Sequence, residues 1–225
     1  MLMVDRIYVA HYTPLYERKE KLLKIFEEFN IEPTWIECEP TREQMKKFYN
    51  NSHEVWYKKI SNLDYGGPIP WKELSKSEKS IAHKHIKIWR DISDNNISTA
   101  LVLEDDLMFD DKFVELFNFN LTITPKDWDL IFIGSGCNLR IPSEEKRDGI
   151  VAYRKHHPAS KCMDSYLIKC SSAAIMSENI KSITLPIDFE INYCMKEADM
   201  KVYWWEPPVT KQGSQCGLYK SEIMK

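Results

Sequence analysis

Apolar residues recur along the chain with two different periods. Arg6 to Ala10 (RIYVA) is a β-branched and aromatic run that predicts a short strand, followed by the turn-like HYTP. A helix is then expected from about Tyr16 to Asn30, with Leu22, Leu23, Ile25, Phe26 and Phe29 as its stripe. A second short strand at about Thr34 to Glu37 completes a β-α-β order, the rhythm of a parallel sheet. From about residue 40 to 72 the period is lost among polar helical fragments, clustered aromatics and the breaker run Gly66-Gly67-Pro68-Ile69-Pro70, which predicts an irregular excursion over the sheet edge.

Order returns at Ser75, where S-K-S-E has the form of a capping box with Glu78 at the third helical position. Ile81, His85, Ile88, Trp89 and Ile92 then fall on one helical face. Thr99 to Leu103 (TALVL) is a continuous apolar run, as a strand buried on both faces requires, and it ends directly in Glu104-Asp105-Asp106. A helix is expected at about Asp110 to Phe117. Further strands are expected at Trp128 to Gly134, Gly149 to Tyr153, Ser165 to Ile168 and Lys201 to Trp205, with a helix over Ile187 to Ala198. The pattern predicts an α/β fold with a mostly parallel central sheet.

Composition narrows the function classes. The chain has 225 residues, 43% hydrophobic and 12% aromatic, enough for a sizeable core and against global disorder. Its net charge of −3 gives no general attraction to nucleic acid. No long apolar run is present and Asp5 stands where a secretory leader needs basic residues, so a cytoplasmic protein without a membrane span is expected. Six cysteines, with neither a CxxC pair nor zinc-type spacing, predict reduced thiols. No GxGxxG or P-loop pattern supports a glycine phosphate cradle.

Candidate chemistry therefore rests on the acidic triplet. In open α/β sheets ligands bind outside the carboxyl ends of strands. Adjacent carboxylates there repel one another and are costly to bury, so Glu104, Asp105 and Asp106 call for a cation or donor groups. Hard oxygen ligands suit Mg²⁺ or Mn²⁺ shared with substrate phosphates. The competing reading is that these acids cap the helix that follows. His85 is expected as a satisfied core histidine, the His156-His157 pair as part of a loop, and Tyr203-Trp204-Trp205 as strand core.

An ordered set of motifs resembles glycosyltransferase family 25, the lipopolysaccharide and collagen-type galactosyl- and glucosyltransferases. The set comprises Arg18, Ser75/Glu78/His85, Leu103 to Asp106 (LEDD), Trp128-Asp129-Leu130 with Gly134, Tyr166-Leu167-Ile168, Pro186-Ile187-Asp188 and Pro207 to Gln212. Ser80-Ile81 and Lys84 depart from the family pattern on the His-bearing helix. The resemblance implies one Rossmann-like GT-A domain over residues 1–225, with a DxD-type motif holding Mn²⁺ (or Mg²⁺) and a nucleoside diphosphate. On it Asp106 is the metal ligand, Glu104 contacts the ribose or a metal-bound water, and Asp105 supports both. Val9, Ala10, His11 and Arg18 would hold the nucleotide, and Ser80 and Lys84 line the donor side. Asp188 is the candidate base of an inverting transfer, an N-cap role being its alternative.

The reaction implied moves a hexose from a UDP-sugar to a hydroxyl on a glycan or glycosylated protein. Two other readings stay open. One is a non-catalytic sugar-nucleotide or glycan-binding domain of the same fold, and the other a two-metal phosphohydrolase or nucleotidyltransferase. A homodimer is compatible with all three.

Overall fold

The computed structural model describes residues 1–65, 69–155, 158 and 161–219. The Gly66-Gly67-Pro68 breaker and the His156-His157 pair lie outside the described residues. The elements run β1 (Arg6–Ala10), α1 (Tyr16–Glu28), β2 (Thr34–Ile36), α2 (Arg42–Phe48), α3 (His53–Leu63), α4 (Lys76–Asp94), β3 (Thr99–Glu104), β4 (Leu107–Phe109) and α5 (Phe113–Ile123). They continue with β5 (Leu130–Phe132), β6 (Ala152–Arg154), β7 (Ser165–Lys169), α6 (Cys170–Asn179), α7 (Ile187–Glu197), β8 (Val202–Trp205) and β9 (Thr210–Gln212). The fold is α/β, as the hydrophobic pattern predicts.

Seven strands form one sheet in the order β2-β1-β3-β7-β5-β8-β6. β1 is parallel to both β2 and β3, and β5 is parallel to β8, while β7 runs antiparallel between β3 and β5 and β6 is an antiparallel edge. The unbroken apolar character of TALVL has a direct cause. Ala100 and Val102 face one core cluster with Ile88, Trp89 and Ile92 of α4, whereas Leu101 and Leu103 face the other with Leu22 and Phe26 of α1 and Phe113 and Phe117 of α5. Each of these side chains is shut off from water, contributing roughly 1.5–3 kcal/mol for a Leu-sized group. Trp204 and Trp205 are fully buried strand core.

The capping box at α4 is formed as the sequence predicts. Ser75 Oγ accepts from the Glu78 amide at 3.2 Å, and the Ser75 amide donates to Glu78 Oε2 at 2.8 Å.

Apart from α6 (Cys170–Asn179), a helix the pattern does not predict, three features differ from expectation. The tract between residues 40 and 72, expected as helical fragments in an irregular excursion, holds two capped, regular helices. Thr41 caps α2 with a reciprocal Gln44 box and Ser52 caps α3, whose Trp56, Ile60 and Leu63 pack with Leu185, Phe189 and Tyr193. The helix after the acidic triplet starts at Phe113, because Leu107 to Phe109 are taken up by β4, which pairs antiparallel with β9. Lastly, Cys137 and Cys162 are joined in a disulfide rather than reduced. Topology brings together two loops 25 residues apart in sequence, with Cα atoms 6.2 Å apart. Cys38, Cys170, Cys194 and Cys216 are free.

The antiparallel insertion of β7 matters because its start meets the ends of β3 and β5. The Glu104 amide donates to the Asp164 carbonyl at 2.8 Å, and the Ile133 amide donates to the Ser165 carbonyl at 3.1 Å. Asp164 is fully buried against Gly134, where an added Cβ would stand 2.1 Å from Asp164 Oδ1. Only glycine leaves room for that carboxyl group. Gly134→Ala is therefore expected to lower stability by about 1–3 kcal/mol, read as a fall in denaturation midpoint; an unchanged midpoint would show that Asp164 yields freely.

Burial raises the Asp164 carboxyl to about 7, the Asp106 charge adding to the effect, against an unfolded value near 3.8. The folded protein then binds more protons than the unfolded chain between those values, so this group's contribution to stability declines as pH rises from about 4 to about 7. Asp164→Asn should flatten the decline by an amount on the order of 1–4 kcal/mol across that window. Denaturant titrations of both proteins at several pH values check this, and parallel pH dependences would refute it.

Candidate active site

The carboxyl ends of β1 and β3 open into a cleft walled by α1, α4 and the segment after β9. Ala10, Arg18, Ser80, Lys84, Glu104, Asp105 and Asp106 all line it. Val9 and His11, also expected at the donor side, do not present side chains to it. Val9 is buried in the sheet's second core cluster and His11 is buried beneath the triplet. The cleft also contains residues that sequence reasoning did not single out: Tyr12, Leu15, Ser77 and Ser214. Gln212 belongs to the terminal stretch that carried the family resemblance, and β9 is what brings it here.

The triplet divides into three roles by environment. Asp105 is a tie. Its Oδ2 accepts from the Tyr12 amide at 3.0 Å and faces His11 Nδ1 at 2.8 Å, while its Oδ1 accepts from Arg18 at 2.8 Å. Burial by itself would raise this carboxyl, yet those hydrogen bonds and the Arg18 charge hold it below the usual range. Asp105 thus stays ionised and fastens the β1 loop and α1 to the end of β3.

Asp106 is the unsatisfied member. Its Oδ1 is buried with no hydrogen-bond partner among the described residues. Burial pushes its carboxyl up, with Ser214 hydrogen bonds and Arg18 opposing and the Asp105 charge adding. The Asp106 carbonyl accepts from the Gly213 amide at 2.7 Å, which fixes the strand-end backbone against the C-terminal segment.

Glu104 stands where this cleft meets a second one. The neighbouring groove is lined by Trp56, Ile69, Pro70, Ile187, Asp188 and Phe189 on its α3–α7 side, by the Cys137–Cys162 disulfide on another, and shares Ile81, Glu104, Gln212 and Ser214 with the first cleft. Burial raises the Glu104 carboxyl well above its usual range, and the charges of Asp106, Asp164, Asp105 and Asp188 push the same way. His85 Nε2 faces Glu104 Oε1 at 3.4 Å. The His85 ring is wholly buried and held down to about 3 by that burial, with Lys84 contributing, so it is neutral.

Asp188 is at the second position of α7 rather than at its cap, which is Pro186. The Asp188 carboxylate accepts from the Phe189 amide at 3.1 Å, and burial raises it to about 6. Lys84, enclosed by α4 and the loop after β2, bonds Ser80 Oγ at 2.6 Å and pairs with Glu39.

A hard divalent cation needs only one or two protein carboxylates when phosphates and waters complete its shell. The buried, unpartnered Asp106 oxygen beside Glu104 fits that requirement. Among the described residues no three His, Cys, Asp or Glu side chains gather into a closed metal cage. No helix there is long and apolar enough to cross a membrane.

The family model for glycosyltransferase family 25 (LPS biosynthesis protein) matches residues 5–191. Procollagen galactosyltransferase 1-B of Xenopus laevis is 27% identical over 135 residues, covering 58% of this chain and 21% of the relative. Procollagen galactosyltransferase 2 of Homo sapiens is 24% identical over 190 residues, 82% of this chain and 29% of the relative. Procollagen galactosyltransferase 1 of Danio rerio is 37% identical over 73 residues, 31% and 12% respectively. The chain thus matches less than a third of the length of these relatives. With the family match running from β1 into α7 and enclosing the LEDD strand end, the chain belongs to glycosyltransferase family 25.

Proposed function

We propose that the chain is a glycosyltransferase that moves a hexose from a UDP-sugar to a hydroxyl of a glycan or glycosylated protein, with inversion at the anomeric carbon. The observation that carries this reading is the pair of joined clefts with the Glu104 carboxyl group at their junction. Group transfer needs a charged leaving-group site and an acceptor site meeting at one point, and Glu104 belongs to both walls. Family membership and relatives named for galactosyl transfer to procollagen support the hexose and the hydroxyl acceptor.

In the first cleft, Arg18 and Lys84 are the cationic side chains facing the place of a diphosphate, with Ser80 one turn before Lys84 on α4. Asp106, with Glu104 beside it, would hold Mn²⁺ or Mg²⁺. When bound, that ion neutralises charge on the diphosphate leaving group. Asp105, already saturated by Arg18, His11 and the Tyr12 amide, keeps the β1 loop in register with the triplet.

The second groove suits the acceptor. Asp188 lines it, and a carboxylate raised to about 6 stays largely ionised at neutral pH while accepting a proton more readily than an exposed one. In this role Asp188 takes the proton from the attacking hydroxyl. The apolar flank of Trp56, Ile187 and Phe189 excludes water from that proton transfer.

Calorimetry with UDP and Mn²⁺ tests the donor side: Asp106→Ala should bind UDP at least about tenfold more weakly than wild type, a loss of about 1.4 kcal/mol, and equal binding would remove the metal role. Asp188→Asn keeps the acceptor from the Phe189 amide but cannot take a proton. It should bind UDP-hexose normally while transfer falls by about 10²–10⁴-fold. Transfer at the wild-type rate would exclude Asp188 as the base. A binding domain without turnover would take up UDP-hexose in the same experiment and release no UDP from it.

A further inference from the structure

A buried chain of hydrogen bonds ends on Glu104, and its direction can be read without seeing a proton. Trp89 Nε1 can only donate, and it lies 2.9 Å from the Tyr166 hydroxyl. That oxygen accepts from Trp89, and among the described residues His85 Nδ1, at 2.9 Å, is the acceptor within reach of its own buried O–H, so the Tyr166 proton is satisfied when it is donated there. With Nδ1 accepting, a neutral imidazole carries its proton on Nε2, and Nε2 faces Glu104 Oε1 at 3.4 Å. Trp89, Tyr166 and His85 have no exposed surface.

Three elements cooperate in this chain. His85 and Trp89 are one turn apart on α4, Tyr166 is on β7, and Glu104 closes β3. A histidine serving only as core filler needs no donor aimed at a carboxyl group; the Trp89–Tyr166 link cannot run in reverse, because indole has no acceptor, and reversing the Tyr166–His85 link would leave the buried Tyr166 O–H without one. One oxygen of Glu104 is thereby engaged from behind, within the protein. The carboxylate keeps acceptor capacity for the cleft side.

Position decides what Glu104 meets there. In the proposed transfer the moved sugar must touch both the leaving phosphate and the acceptor oxygen, so it occupies the junction, and Glu104 is a junction residue. On that reading the nucleotide end would lie farther along the first cleft, towards Arg18 and Tyr12, which line it and not the second groove. Sugar hydroxyls both donate and accept, and a back-bonded carboxyl group, which accepts in either protonation state and also donates when protonated, is their complement. We propose that His85 is a positioning residue which aims Glu104 at a hydroxyl of the transferred hexose, making this pair a determinant of donor-sugar recognition rather than of nucleotide binding. The proposal rests on the UDP-sugar reading above and goes one step beyond it.

The test separates the two. Affinities for UDP and for UDP-galactose or UDP-glucose, whichever binds wild type more tightly, are measured with Mn²⁺ on wild type, His85→Phe and His85→Gln. His85→Phe should weaken the UDP-hexose by about tenfold or more beyond any change in UDP affinity, and His85→Gln, whose amide restores an N–H donor, should recover most of that difference. Equal weakening of both ligands, weakening of neither, or no difference between the two variants would overturn the proposal. A second measurement needs only the wild-type protein: in a series of UDP-deoxyhexoses, removal of one hydroxyl should cost about tenfold in affinity, and uniform binding across the series would also overturn it. If wild type binds no UDP at all, the donor reading fails and this proposal falls with it; if UDP binds and the hexose hydroxyls make no difference, only this proposal fails.

Discussion

Crowding of buried carboxyl groups at one end of the sheet is the constraint to which the rest of the structure answers. Glu104, Asp105, Asp106, Asp164 and Asp188 influence one another through space, and four of the five have proton affinities raised chiefly by burial. Asp105 alone is compensated in full, by Arg18, His11 and the Tyr12 amide. Such an arrangement opposes folding, because like charges in a poorly solvated place repel and lose hydration. Two core clusters, one on each face of the sheet, offset that cost. A cation, or a ligand rich in hydroxyl donors, would relieve the strain that remains.

Topology explains why the acids meet. β1 and β3 are parallel and finish at the same edge, so the loop carrying Tyr12 and the triplet are adjacent by construction. β7 is antiparallel to β3 and to β5 and therefore begins where they finish, which delivers Asp164 to the same place. The small β4–β9 sheet then folds the C-terminal stretch over the opening, adding Gln212 and Ser214 to both clefts. Asp188 arrives independently, at the start of α7, held in place by the α3–α7 apolar contacts around Phe189 and Tyr193.

Much of this was legible in the residues and some was not, for physical reasons. The central strands announce themselves because burial on both faces demands an unbroken apolar run, and α4 because its cap and its stripe agree. β4 and β9 are three residues each, too short for any period, and exist only because they pair with each other. The Cys137–Cys162 bridge depends on two loops meeting through the fold, which spacing cannot reveal. For α3 a signal was present: Trp56, Ile60 and Leu63 follow helical spacing after the Ser52 cap, hidden by the polar residues around them. At the site, the triplet, Arg18, Ser80 and Lys84 could be placed on one cleft from the motif order, whereas alternation along β1 turns Val9 into the core.

His85 shows why burial and function are not competing explanations for one residue. The same ring that completes the core between α4 and β7 also presents a fixed donor to the end of β3. A side chain on a loop could make the same hydrogen bond, but it would lose orientational freedom each time it did so. Here that ordering is already part of folding, since Tyr166 and Trp89 determine which nitrogen carries the proton and packing determines where the ring lies. Glu104 can therefore border two polar clefts while its orientation is set from the buried side, by a ring that α4 and β7 hold in place.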